Sequence, residues 1–516
     1  MTHPTAASTD ETVGTFCLVL HTHLPWLAHH GSWPVGEEWL HQAWGQSYQR
    51  VTAVLDELAT EGRTDLVTMG VTPVVAAQLD DPYCLGIQET WLHDWYWRAV
   101  GMSAERDPAR RRLGEWEAHQ AHAAIEDWQR WSRGGSPVLR RLADEGVVEI
   151  LGGPLAHPFQ PLIDPAVLDF ELDAGLTDAR LRLGNRPAGI WAPECAYRPG
   201  LEDHYADHGI SHFLLDGPTL QHVGASTATA HPIGDSGVVA FGRDLDVTYR
   251  VWSPRRGYPG GKWYRDFHTY DHTWGFRHSR VTSNRTAPQE KAPYDPQRAR
   301  AAVEHDAQDF VATVRQRLID IAAQQDGRPG LTVAAYDTEL FGHWWYEGPD
   351  WLAAVLRLLP AAGVRVTTLA GAISSGLVGS PIRPESGSWG AGKDWHIWAG
   401  EEVHDLVADN SRAQAKVLDL LKTLDPDSGR SPVADQLVRN LVLALQSDWA
   451  FMVSHDSAAH YARDRHNTHH WSVAELADWV EQFGWADARP VDLAARQRSV
   501  DAAFGHIDAR QLRYRR

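Results

Sequence analysis

GTFCLVLHTHLPW, residues 14–26, sets an apolar run from Phe16 to Leu20 against two histidines and a proline. The apolar positions are consecutive rather than alternating. That is the pattern of a strand covered on both faces in a parallel sheet. His21 and His23 alternate with Thr22, so on a strand both imidazoles face one side. A buried strand that ends in ionisable groups predicts a site at the strand end.

The same pattern recurs along the chain. DLVTMGVTPVVAAQL (65–79) reads as a strand with a Thr-Pro stop, and VVEILGGPLAHPFQPLI (147–163) as a strand with a Gly-Gly break and His157 in its loop. PAGIWAPECAY (187–197), SHFLLDG (211–217), LTVAAYDTELFGHWW (331–345) and VRVTTLAGAI (364–373) read as further strands. Helical stretches alternate with them: VTAVLDELATEG, the Trp-rich segment from about 88 to 145, LEDHYADHG, and about 297 to 325. The alternation predicts a parallel α/β architecture whose functional groups gather where strands end. Residues 218–295 carry short β-like pieces and Gly/Pro turns, including WSPRRGYPGGKWYRDF, and read as an insertion or lid. From 402 to 516 the pattern is helical, so the organisation predicted is a tail at 1–13, an α/β unit at 14–401 and a C-terminal helical domain.

Composition bounds the class. A 516-residue chain is too long for one ordinary core. With 48 basic and 67 acidic residues the net charge is −19, which disfavours nucleic acid and anionic membranes because no basic excess exists to displace counterions. Three cysteines, Cys17, Cys84 and Cys195, make neither a disulfide framework nor a zinc cluster. No run reaches membrane-spanning length and the N-terminus lacks a secretory pattern, so a cytoplasmic monomer is the default expectation. The 24 tryptophans exceed ordinary core use; a flat apolar ring with one N–H donor suits stacking on sugars.

The chemistry-bearing groups follow from the strand ends. Transfer of a glycosyl group with retention needs two carboxyl groups, about 5–5.5 Å apart, flanking the glycosidic bond. Glu194 in WAPECAY and Asp337 in YDTELFGHWW each follow an apolar run and sit among aromatics. Glu339 competes with Asp337, since i and i+2 point the same way on a continuing strand. His21 and His23 admit two readings: hydrogen-bonding to sugar hydroxyls and a carboxylate, or metal ligation with a further His and Asp. Cys195 has no neighbouring His to activate it and reads as packing.

Five motifs together resemble glycoside hydrolase family 57, in its 1,4-α-glucan branching members: HTHLPW, EILGGPLAHP, GIWAPECAY, AAYDTELFGHWW and LQSDWAFM, spread over roughly residues 14–470. The resemblance implies a (β/α)7 barrel with an inserted lid subdomain, a C-terminal α-helical domain, and a double displacement without metal or other cofactor. It assigns Glu194 as nucleophile and Asp337, over Glu339, as general acid/base. It further implies substrate contacts at His21, His23, Trp33, Trp39, His157, Tyr258, Arg265, Trp274, Gly275, Trp389, Trp398 and Asp448, with an α-glucan such as amylose or a glycogen-like polysaccharide as partner. Rival readings are a 4-α-glucanotransferase or α-amylase sharing the carboxyl pair, a metal-dependent barrel hydrolase, and an inactive glucan-binding protein.

Overall fold

Strand β1 (Gly14–Thr22) is buried along its whole length, as its unbroken apolar run requires. The computed structural model describes residues 12–33, 35–253, 257–283, 285–425, 427 and 429–513. Most of the expected 1–13 tail, and residues 514–516 of the expected C-terminal domain, therefore lie outside the described residues. The remaining strands are β2 (Val67–Val71), β3 (Val148–Leu151), β4 (Gly189–Ile190), β5 (His212–Asp216), β6 (His231–Pro232), β7 (Val239–Arg243), β8 (Gly330–Asp337) and β9 (Val364–Val366).

These strands form two sheets. The first runs β3-β2-β1-β8, with β9 pairing the first residues of β1, and is parallel throughout. The second runs β4-β5-β7-β6 and is parallel except for β6 against β7. The ladders thus do not form one continuous closed sheet. The two sheets touch at both junctions: Gly152 bridges Ile190, and the Asp244 N–H donates to the Val333 carbonyl at 2.8 Å.

The alternating helices lie where the sequence places them, including Gln49–Thr60, Leu201–Asp207 and the 29-residue Pro296–Gln324. Pro82–Ser103 and Pro108–Trp131 are long helices packed on each other. Both begin with Asp-Pro, and the side chains of Asp81 and Asp107 cap the first free N–H groups. VRVTTLAGAI is strand only to Val366; Thr368 then caps the Leu369–Ser374 helix.

The 218–295 reading needs correction. It includes β7, which pairs with β5 over five residues from His212↔Val239 to Asp216↔Arg243 and is part of the sheet. A five-residue strand among Gly/Pro turns does not announce its parallel partner 27 residues earlier. The irregular segment begins only after the Leu245–Val251 helix. From His404 onward every regular element among the described residues is a helix, with long ones at His404–Leu421, Pro432–Ala444 and Ala459–Phe483. No helix among the described residues is long and apolar enough to cross a membrane.

Candidate active site

Register brings the first groups together. β1 pairs with β8 so that His21 lies opposite Asp337, and the hydroxyls of Thr22 and Thr338 bond at 2.8 Å just beyond. β8 stops at Asp337 and turns through a 3₁₀ segment, Thr338–Leu340. The strand does not continue, so Asp337 and Glu339 do not share a face. Glu339 turns inward and accepts from the Tyr48 hydroxyl and, at 3.4 Å, from the His23 N–H. Burial pushes its carboxyl well above the usual range.

Glu194 arrives differently. β4 is two residues long, and the chain then enters a 3₁₀ turn at Pro193–Cys195 with Glu194 at φ 62° and Cys195 at φ 47°. Left-handed geometry at non-glycine residues costs about 1–2 kcal/mol each, so the surroundings must hold it. The Trp389 N–H donates to the Glu194 carbonyl at 2.9 Å and the Tyr197 N–H to Gly387 at 2.9 Å. Both carboxylate oxygens are engaged: Trp389 Nε1 donates to Oε2 at 2.8 Å and the Ser447 hydroxyl to Oε1 at 2.7 Å. Cys195 is fully buried, and burial pushes its thiol well up. It packs.

The histidines complete the cluster. His21 stacks on Trp191 at 4.2 Å between centroids, and His23 on His157 at 3.7 Å. His21 Nε2 and His157 Nε2 lie 3.1 Å apart, and His157 Nδ1 is 2.9 Å from Ser447 Oγ. His23 bridges Thr72 Oγ1 at 3.0 Å and Asp448 Oδ2 at 3.0 Å. Burial holds His21 and His157 well below the ordinary imidazole range, so both are neutral.

Burial raises both candidate carboxyls. Glu194 is pushed up to about 7, opposed by the Ser447 and Trp389 hydrogen bonds and by His23, while Asp448 adds to the rise. Asp337 is pushed up to about 6, opposed by His23 and Arg243, again with Asp448 adding. The two acids therefore share His23 and Asp448 as neighbours, which places them in one electrostatic setting. Both carboxyls are raised towards neutral pH, the perturbation expected of groups in a functional site.

The other expected contacts spread outward. Trp389 stands edge-on to Trp191 at 5.0 Å with the Arg243 guanidinium 5.2 Å over its ring. Trp33 is 63% exposed, its ring 6.3 Å from Tyr270, while Trp39 is half-buried. Trp274 donates its indole N–H to Glu105, and Arg98 clamps the carbonyls of Trp274 and Gly275 at 3.0 and 3.1 Å. Gly275 sits at φ 74°, and a Cβ there would meet Arg98 Nη1 at 2.4 Å. Arg265 is buried, paired with Glu117 at 3.1 Å, and lines a narrow pocket with Gly275 and Trp344. Trp398 is buried against Phe159 at 4.9 Å, beside a second narrow pocket that reaches Ser447. Tyr258 does not stand with the cluster: its hydroxyl bonds Asp309 at 2.6 Å and its ring lies beside Trp345 and Trp351.

Sequence reasoning passed over three groups. Ser447 stands next to the singled-out Asp448, and only the fold shows that it reaches Glu194. Arg243 and Asp216 end β7 and β5 and pair at 2.8 Å, with Lys393 at 2.8 Å from the second Asp216 oxygen. Arg243 went unnoticed because its strand was read as insertion. Tyr48 carries no local signal.

Among the described residues two groups could hold a metal: His21, His23 and His157, and His30, His469 and Asp501. In the first, His21 and His157 are turned on each other and His23 on Asp448. In the second, His30 Nε2 meets Asp501 at 2.7 Å, and Arg465 donates to His469 Nε2 at 2.8 Å. That donation leaves the ring proton on His469 Nδ1, which faces Asp501 at 3.6 Å. The second group is a hydrogen-bonded chain.

The pattern of strand-end groups has a counterpart in known proteins: the model of glycosyl hydrolase family 57 matches residues 17–373. The chain belongs to this family. The expectation drawn from the five motifs is thereby borne out. A second family model, described as the C-terminal part of 1,4-alpha-glucan branching enzymes, matches residues 410–511. A probable 1,4-alpha-glucan branching enzyme of Mycobacterium tuberculosis is 51% identical, covering 98% of this chain and 99% of its own. A 1,4-alpha-glucan branching enzyme of Thermococcus kodakarensis is 32% identical over 91% of this chain and 74% of its own. Among solved family structures, the branching enzyme of Pyrococcus horikoshii superposes with a TM-score of 0.90 at 28% identity, over 97% of each chain.

Proposed function

We propose that this chain is a 1,4-α-glucan branching enzyme that cleaves an α-1,4 glucosidic bond and rejoins the released chain to a 6-hydroxyl. The observation that carries the reading is the half-identity over nearly the whole length to a relative named for that activity. The site's chemistry agrees with it: a buried carboxyl with both oxygens hydrogen-bonded has the same neighbours, His23 and Asp448, as a second carboxyl.

In this reading Glu194 attacks the anomeric carbon while Asp337 gives its proton to the departing O4. The C1–O4 bond breaks as a C1–Oε bond forms. Asp337, now a base, takes the proton of an acceptor 6-hydroxyl, whose oxygen displaces Glu194, and two inversions retain the α configuration. The pair requires a carboxyl separation of about 5–5.5 Å. His21, His23, His157, Trp389 and Asp448 surround the reacting sugar. Trp33, Trp39, Tyr258, Arg265, Trp274, Gly275 and Trp398 shape the outer cleft and the segment that shields it. Residues 14–401 act as the catalytic unit, with β1–β5, β7 and β8 read as one (β/α)7 barrel closed through the Gly152–Ile190 and Asp244–Val333 contacts. Residues 402–516 act as a helical domain that closes one wall, and the chain acts as a monomer in the cytoplasm on a glycogen-like glucan.

Branching outruns hydrolysis only when a sugar hydroxyl reaches the intermediate before water at about 55 M, and positioning supplies effective concentrations up to about 10⁵ M. Incubation with amylose followed by proton NMR tests the proposal. New 1,6 anomeric signals without matching reducing ends are expected. Reducing ends alone would assign an amylase, unchanged linkage with altered chain lengths a 4-α-glucanotransferase, and loss of turnover with EDTA a metal-dependent enzyme.

A further inference from the structure

Ser447 has one hydroxyl proton and two polar neighbours, Glu194 Oε1 at 2.7 Å and His157 Nδ1 at 2.9 Å. An ionised carboxylate can only accept, so the hydroxyl proton goes to Glu194 and Oγ accepts from His157 Nδ1–H. A neutral imidazole carries one ring proton, which leaves His157 Nε2 bare. It can then only accept, and His21 Nε2–H, 3.1 Å away, is the donor. Each assignment forces the next. The chain of donation runs one way, from His21 through His157 and Ser447 into Glu194; a proton on Oε1 would reverse every link and leave a proton on the buried His21 Nδ1, which has no partner among the described residues.

From this we infer that Ser447 is a positioning residue that keeps Glu194 ionised for attack, as the last donor of a directional hydrogen-bond chain. The inference rests on the reading of Glu194 as nucleophile. Ser447 suits the task because its place does not depend on its side chain. Its N–H donates to the His157 carbonyl at 3.0 Å, Pro158 bridges Gln446, and it opens the Ser447–Ser454 helix. Other elements face Glu194 with Trp389, Asp448 and His23, while Asp216, Arg243 and Lys393 surround the neighbouring Cys195. Trp389 serves Oε2; among the described residues only Ser447 donates to Oε1.

The test uses an α-maltooligosyl fluoride as donor, because fluoride departs without Asp337's proton and the rate then reports Glu194 alone. Removing a hydrogen bond to a charged group should move the acid limb of Ser447→Ala upward by about 1–2 pH units, with a rate about 10- to 100-fold lower on that limb. Ser447→Thr should restore the wild-type limb, and Ser447→Cys, a weaker donor of similar size, should lie between. A Ser447→Ala limb that coincides with wild type overturns the inference. So does a loss of rate that is equal at every pH, which marks a packing role. Should Ser447→Ala not fold, the Thr and Cys limbs decide: coincidence of both with wild type overturns it. Glu194→Gln separates the two failures, since turnover of the fluoride by that variant sinks the nucleophile assignment itself.

Discussion

Two carboxyls reach one electrostatic setting by opposite routes. Asp337 is the last residue of an eight-residue strand, and its place follows from β1–β8 register. Glu194 follows a two-residue strand, in left-handed backbone, and is held by Trp389 and Ser447, 195 and 253 residues away. The first side chain is placed by local repetition and the second by distant parts of the chain. On the proposed assignment, the acid/base needs only a strand end and burial that raises its carboxyl. The proposed nucleophile, charged while buried, needs donors as well, and donors on both oxygens come only from other segments.

The largest expected effect breaks the comparison outright. On amylose, Asp337→Asn should lower turnover by about 10²–10⁴-fold and Glu194→Gln by at least about 10⁴-fold. With an activated fluoride donor Asp337→Asn should still form and trap the intermediate while Glu194→Gln should not. Release of fluoride by both or by neither removes the distinction.

Stability against pH sharpens it. Glu194 binds its proton more tightly folded, up to about 7, than in an unfolded chain near 4.5. The folded state therefore holds the proton longer, so stability is lost as pH rises between those values and the loss is complete above 7. Asp337 acts in the same direction up to about 6. Urea unfolding should show Glu194→Gln losing about 2–3 kcal/mol less than wild type between pH 5 and pH 8. Equal losses would mean that Glu194 carries no burial strain.

Trp389→Phe tests the other donor. Loss of the indole bond to Oε2 should cost about 10-fold in turnover near pH 6, with a smaller loss above pH 8, read from the pH–rate profile. The smallest effect belongs to Tyr258. Tyr258→Phe deletes the bond to Asp309 and should lower unfolding stability by about 0.5–1.5 kcal/mol without changing the ratio of branches to reducing ends. A changed ratio would show that this hydroxyl leaves Asp309 and enters the reaction. Tyr258→Ala, which also removes the ring, should raise hydrolysis relative to branching.

Much of this was legible along the chain, for one reason. A strand covered on both faces writes itself as consecutive apolar residues, so β1, β2 and β8 were visible with their terminal His21, His23 and Asp337. β7 was misread because five residues among turns carry no record of their partner, and Arg243 was lost with it. The Asp337/Glu339 ambiguity turned on whether the strand continued. Backbone geometry answers that: a 3₁₀ turn sends Glu339 to Tyr48. The division drawn at residue 402 follows the helical pattern, yet Ser447, beyond it, bonds Glu194, and Asp448, beyond it, bonds His23.

Sequence by itself determined the α/β alternation, the family, and which ionisable residues end the buried runs, because period and burial are local properties of a chain. Only the tertiary structure decided that Ser447 and Trp389 converge on Glu194, that His157 stands behind Ser447, and that Glu339 turns away. Hydrogen bonds reach about 3 Å whatever the separation in sequence, and no local pattern encodes which distant donor will fill that gap.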